Sequence, residues 1–199
     1  MGGLVRAMSG GSGFQAWRNK LLVVAVYEQG SVVGLADDPG PFHFRYDEVA
    51  RFVVHVAKRY VNQSYRGLVT NCWVGLEDDR NHRFQGQGTR NELSVVEDFR
   101  QLVDPRIAAA QLPRMLGALR QGRPVDFGAY VLDQRGITTG TGNKQKQLPW
   151  AQVGQVGVDL GSVEVKERDR RRAWATANTT RVPNLTAFLT LAREAQRGL

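Results

Sequence analysis

The sequence predicts an α+β fold: two bent antiparallel sheets in tandem, each closed by a C-terminal helix. Three observations carry that prediction. Short apolar runs of strand length alternate with turn residues along most of the chain. Two segments recur at nearly the same offset, 105 residues for one and 104 for the other. Each copy also ends in a stretch whose apolar residues recur at three and four positions, as one face of a helix does.

Residues 1–16 are rich in Gly and Ser and lack apolar spacing, so a disordered lead-in is expected there. Arg6 stands where a myristoylation pattern wants Ser or Thr. Residues 21–27 form the longest unbroken apolar run, far short of the roughly 20 residues that cross a bilayer, and read as a buried strand. That strand ends in the turn Glu28, Gln29, Gly30 and is followed by a second strand over 31–35. The second copy repeats the order as Val131, Leu132, Asp133, Gln134, Arg135 and Gly136, then a strand over 137–139.

Next, Phe44, Arg45, Tyr46, Asp47, Glu48 and Val49 correspond to Leu148, Pro149, Trp150, Ala151, Gln152 and Val153. In both copies an aromatic is followed three residues later by Val and then by an alternating strand. Hairpins follow over 67–76 with 82–87, and over 161–165 with 173–177. Thr89 and Arg90 match Thr180 and Arg181, and Asn91 and Asn184 stand where an N-cap side chain would satisfy free amides. Helices are expected through Val95, Val96, Phe99, Leu102 and Val103, and through Leu185, Phe188, Leu189 and Ala192. Pro105 should break the first helix and leave residues 107–119 as a linking helix. The turn-forming Gly122, Arg123 and Pro124 then divide the chain into domains 17–122 and 123–199.

A helix laid across the open mouth of a bent sheet buries its apolar side. Strands closed by one helix is the order of the pleckstrin-homology plan, so the expected fold is two pleckstrin-homology-like half-barrels in tandem. Residues 122–191 also resemble the C-terminal module of an uncharacterised bacterial family with pleckstrin-homology-like folds. The resemblance rests on Gly122, Arg123, Pro124, Val125, Asp126, Phe127 and Gly128, then on Gln134, Arg135, Gly136 and Ile137. It continues through the stretch from Leu148 to Val153 described above and through Val182, Pro183, Asn184, Leu185, Thr186, Ala187, Phe188 and Leu189. It covers about a third of the chain closely and the first half only through the repeat. These motifs are structural, and the resemblance implies no activity, cofactor or ligand.

The formal charge of +8 and a pI near 10.1 favour a polyanionic partner through long-range attraction. Residues 1–122 carry 15 basic and 12 acidic side chains and residues 123–199 carry 12 and 7, so the excess is denser in the second copy. The lone cysteine, Cys72, cannot form an internal disulfide and reads as an inert core thiol in a reducing compartment. A cytoplasmic protein is expected, with peripheral attachment at the inner membrane surface as a further expectation.

The sharpest site candidate is the basic hairpin tip Lys166, Arg168, Arg170, Arg171 and Arg172, with Glu167 and Asp169 interleaved. Guanidinium groups pair bidentately with phosphate, although charged tips are commonly just solvated turns. Lys144 and Lys146, after the turn Gly140, Thr141, Gly142, Asn143, form a second basic tip. Gly86, Gln87, Gly88, Thr89 and Arg90 suggest a phosphate cradle, but Thr89 with Glu92 reads more simply as a capping box. His43, His55 and His82 are scattered without metal-ligand spacing, and Asp37, Asp38, Pro39 and Gly40 read as a turn. Tyr46, Trp73, Trp150 and Trp174 are expected in the core.

No catalytic group, metal site or cofactor is expected, and the chain does not read as an enzyme. The reading is a non-catalytic binding or adaptor module that recognises an unidentified protein partner. Peripheral binding to anionic membrane or phosphoinositide-like head groups through the basic tips is the alternative. Nucleic acid is not expected as a partner, and an exposed sheet edge would suit a homodimer.

Overall fold

Alternation along residues 21–27 puts Leu22, Val24 and Val26 on one face, and all three are buried. The same rule builds the rest of the chain in the computed structural model, which describes residues 1–11, 21–35, 39–90 and 92–198. The result is a mixed α+β structure of four antiparallel sheets and two helices, with no closed barrel among the described residues.

The chain divides into two compact units, Met1–Ala110 and Gln111–Leu199. In the first, β1 (Leu4–Gly11), β2 (Leu21–Tyr27), β3 (Gly30–Leu35) and β4 (Phe42–Arg45) form a four-stranded meander. A 3-10 turn, Tyr46–Glu48, leads to a three-stranded sheet of β5 (Val49–Val61), β6 (Ser64–Leu76) and β7 (Asn81–Gln87). Helix α1 (Val95–Arg120) follows, and the division between the units falls inside it, upstream of the expected turn at Gly122. Its Val96, Phe99, Val103 and Ile107 are buried in the core of the first unit with Phe44, Phe52, Val74 and Phe84. The Phe84 and Phe99 rings meet edge to face at 5.1 Å.

The second unit repeats this order. Strands β8 (Val125–Asp126), β9 (Tyr130–Leu132), β10 (Gly136–Thr139) and β11 (Lys146–Pro149) make the first sheet. After the 3-10 turn Trp150–Gln152 come β12 (Val153–Asp159), β13 (Ser162–Glu167) and β14 (Ala173–Asn178), then α2 (Leu185–Gln196). The face of α2 carrying Phe188, Leu191, Ala192 and Ala195 is buried, and the Phe188 ring lies 5.3 Å from Phe127 and 5.4 Å from Tyr130.

The correspondence extends to single hydrogen bonds. Tyr46 N–H donates to the Gln29 carbonyl at 3.1 Å, and Trp150 N–H donates to the Arg135 carbonyl at 3.1 Å. The register slips just after Val49 in β5 and just after Val153 in β12, a bulge at the same place in each copy. A Cβ on Gly30 would collide with the Phe44 carbonyl, and one on Gly136 with the Leu148 carbonyl, so both positions require glycine.

Three expectations are corrected. The segment expected as a disordered lead-in contains β1, paired with β2 from Leu4 opposite Tyr27 to Gly11 opposite Leu21. Gly3 N–H adds a bond to the Glu28 carboxylate at 3.1 Å, while residues 12–16 of that segment lie outside the described residues. Pairing with a buried strand supplies the order that the small residues do not encode. Pro105 does not break the first helix: α1 runs through it as one element. The cost of an interior proline, about 3 kcal/mol, is offset by burial of Phe99, Val103 and Ile107 on either side. Arg106 Nη1 reaches back to the Leu102 carbonyl at 2.6 Å beside the proline.

The start of α1 also differs. Glu92 N–H donates to Thr89 Oγ1 at 3.2 Å, but this closes a turn ahead of the helix. The cap is Ser94, whose Oγ accepts from Glu97 N–H at 3.1 Å. Asn91 lies outside the described residues, as do Asp37 and Asp38 of the expected turn. Asn184 is the N-cap of α2, in left-handed conformation and without a side-chain cap hydrogen bond.

Candidate functional site

The hairpin between β13 and β14 forms where alternating apolar residues stop and seven consecutive charged residues, 166–172, begin. Asp169 takes φ 62° to turn the chain, and Arg168 N–H anchors the turn on the Gln152 carbonyl at 2.7 Å. Interleaved carboxylates neutralise part of the basic run. Lys166 pairs with Glu164 at 3.2 Å and Arg170 with Glu167 at 2.9 Å. Arg168, Arg171 and Arg172 are exposed and make no ion pair among the described residues. The five predicted residues therefore separate into two compensated cations and three uncompensated ones.

One residue of the second predicted tip reaches the base of the first. Gly140 and Gly142 at φ 85° and 52° shape the β10–β11 turn, with Lys144 exposed on its 3-10 segment. Lys146 Nζ donates to the Trp174 carbonyl on β14 at 2.5 Å and lies 4.6 Å from the Trp174 ring centre. This contact ties one basic hairpin to the root of the other, two residues from Arg172. Sequence spacing could not show it, because the two residues are 28 apart and on different sheets.

On its other side Arg168 borders a recess of about 500 Å³, which Arg120, Gln134, Trp150 and Gln196 also line. Gln134 Nε2 donates to the Arg120 carbonyl at 3.1 Å and Gln196 Nε2 to the Val153 carbonyl at 3.2 Å. Arg120 was missed from sequence. It is the last residue of α1, where a cation is expected from the helix dipole alone, and nothing in its spacing links it to Arg168.

The remaining candidates divide between packed positions and exposed ones, His43 and His55 among the exposed. His43, His55 and His82 lie on β4, β5 and β7, and His82 stacks against Phe42 at 5.1 Å. Tyr46 is buried, Trp150 and Trp174 are half-buried, and Trp73 departs from the core expectation. Trp73 is 46% exposed, on the outer face of β6, with the Arg51 guanidinium 6.0 Å from its ring. Burial pushes the Cys72 thiol well above its ordinary pKa. Burial likewise raises the Tyr130 hydroxyl to about 12, and that hydroxyl donates to the Val163 carbonyl at 3.1 Å.

Glu97, at the start of α1, is buried. Burial would raise its carboxyl pKa, but donors from Arg100 at 2.6 Å and Thr70 at 2.9 Å hold it below the usual range. Gly88, Thr89 and Arg90 line a smaller recess of about 160 Å³ beside it.

Among the described residues, no helix is long and apolar enough to cross a membrane. No curated protein sequence matches the chain. The model of a family of unknown function, DUF6585, matches residues 15–198, so the chain belongs to that family.

Proposed function

We propose that the chain is a non-catalytic binding module of two pleckstrin-homology-like domains, the second of which docks on anionic membrane surfaces. The observation that carries this reading is the contact between Lys146 and Trp174. It draws Lys146, two residues after Lys144, to the base of the hairpin that presents Arg168, Arg171 and Arg172 without ion pairs. Each such cation gains on the order of 1 kcal/mol near an anionic leaflet. The four-strand, three-strand, helix order of both units supports the domain assignment. The adaptor would work at the cytoplasmic face of a membrane.

Capture of a protein partner by strand addition is less favoured at β14. Its Trp174 carbonyl is already occupied by a lysine, which blunts an outer strand. Flotation of the full chain with phosphatidylcholine vesicles, with and without phosphatidylglycerol, tests the reading. Binding should require the anionic lipid and be lost when Arg168→Ser, Arg171→Ser and Arg172→Ser are combined. Equal flotation of that variant would overturn it.

A further inference from the structure

The first unit carries an arm without a counterpart in the second. Strand β7 pairs with β6 only as far as Val69 opposite Gln87. Beyond that point Gly88 and Thr89 still lie against Leu68 and Gly67, with Gly88 N–H on the Leu68 carbonyl at 2.9 Å. Past them β5 and β6 run on as a two-stranded ribbon: Lys58 stands opposite Leu68, Arg59 opposite Gly67, Tyr60 opposite Tyr65 and Val61 opposite Ser64. Asn62 and Gln63 close it with φ of 48° and 63°, the two-residue turn whose twist suits a hairpin. At about 3.3 Å per residue the ribbon projects roughly 10 Å past Gly67. In the second unit β14 pairs with β13 up to Ser162, beside the turn, so no ribbon is left over.

The composition of the arm is one-sided. Residues 49–76 contain Arg51, Lys58, Arg59 and Arg66 and no Asp or Glu. At the end of the arm Tyr60 is 56% and Val61 43% exposed, and Tyr60 meets Tyr65 edge to face at 5.9 Å. A cationic ribbon without ion pairs among the described residues, and with an aromatic and aliphatic end, is suited to a surface that is both anionic and apolar just below its charges.

We propose that this arm is a second contact with an anionic bilayer: Tyr60 and Val61 enter the headgroup boundary while Lys58, Arg59 and Arg66 pair with lipid phosphates. Tyr favours that boundary because its ring is apolar and its hydroxyl polar. Arg forks match phosphate oxygens. The inference rests on the anionic bilayer proposed above as the target but uses residues of the other unit.

The test uses the full chain carrying Ser64→Cys labelled with a polarity-sensitive dye; Cys72 is buried and should escape the label. The dye should shift to the blue on vesicles containing phosphatidylglycerol and stay unchanged on phosphatidylcholine alone. Tyr60→Ser with Val61→Ser should weaken vesicle binding about tenfold without moving the melting temperature, because both side chains are exposed. Vesicle binding with an unchanged dye overturns the arm. So does a blue shift produced only by a single-stranded oligonucleotide, which would assign the arm to nucleic acid. Binding and blue shift that both survive the triple serine variant of the second unit would uphold the arm and sink the second-unit site. Binding lost in that variant, with no dye response in the parent protein, would do the reverse.

Discussion

Trp150 Nε1 donates a 2.9 Å hydrogen bond to the backbone carbonyl of Asp133, fastening the corner between the two sheets of the second unit to the turn after β9. At the equivalent place in the first unit, Tyr46 donates to the Tyr27 carbonyl at 3.0 Å and shares a 3.0 Å bond with Ser31 Oγ. The two aromatics differ in chemistry but hold the same corner. Replacing the indole by phenyl in Trp150→Phe should cost about 1 kcal/mol in denaturant unfolding, with an unchanged slope. Tyr46→Phe should cost more, because buried Ser31 also loses its partner. A Trp150→Phe protein as stable as the parent would show that the corner bond contributes nothing.

Gly30→Ala and Gly136→Ala should each destabilise by about 1–3 kcal/mol, since the added methyl meets a backbone carbonyl of the neighbouring strand. Gly117→Ala is the opposite case. It lies within α1 with open space around the new Cβ, and should stabilise by about 0.5–1 kcal/mol. Thermal unfolding of the three variants separates steric constraint from simple helix propensity.

Glu97 predicts an acid dependence of known sign. Its folded pKa lies below the unfolded value, so its contribution is present above about pH 4.3 and is lost as the pH falls through the folded pKa. Glu97→Gln should cost about 2 kcal/mol at pH 7, where Arg100 and Thr70 lose a charged acceptor. The variant should lose less stability than the parent between neutral and strongly acidic pH. Parallel slopes for the two proteins would place the acid sensitivity elsewhere.

Much of the fold was legible because the repeat uses local signals. Gly30 and Gly136, Tyr46 and Trp150, and Val49 and Val153 mark turns and strand starts that each copy needs for the same steric reasons. Elements governed by distant contacts were not legible. Strand β1 owes its order to pairing with β2, not to its own glycines and serines. Helix α1 passes Pro105 because core burial outweighs a local penalty. At the candidate site, sequence gave both basic tips but not which cations were spent on Glu164 and Glu167. Nor did it give the meeting of Lys146 with Trp174, which depends on how two sheets pack.

The most direct test of the central claim is binding of the unlabelled full chain to phosphatidylglycerol-containing vesicles as salt is raised from low to physiological. The screening length falls from about 30 Å at 0.01 M to about 8 Å at 0.15 M, so attraction through exposed arginines must weaken across that range. The proposed docking predicts tight binding at low salt that falls steeply as salt rises, and none to neutral vesicles. Binding that ignores both salt and lipid charge, or no binding at any salt, would contradict it.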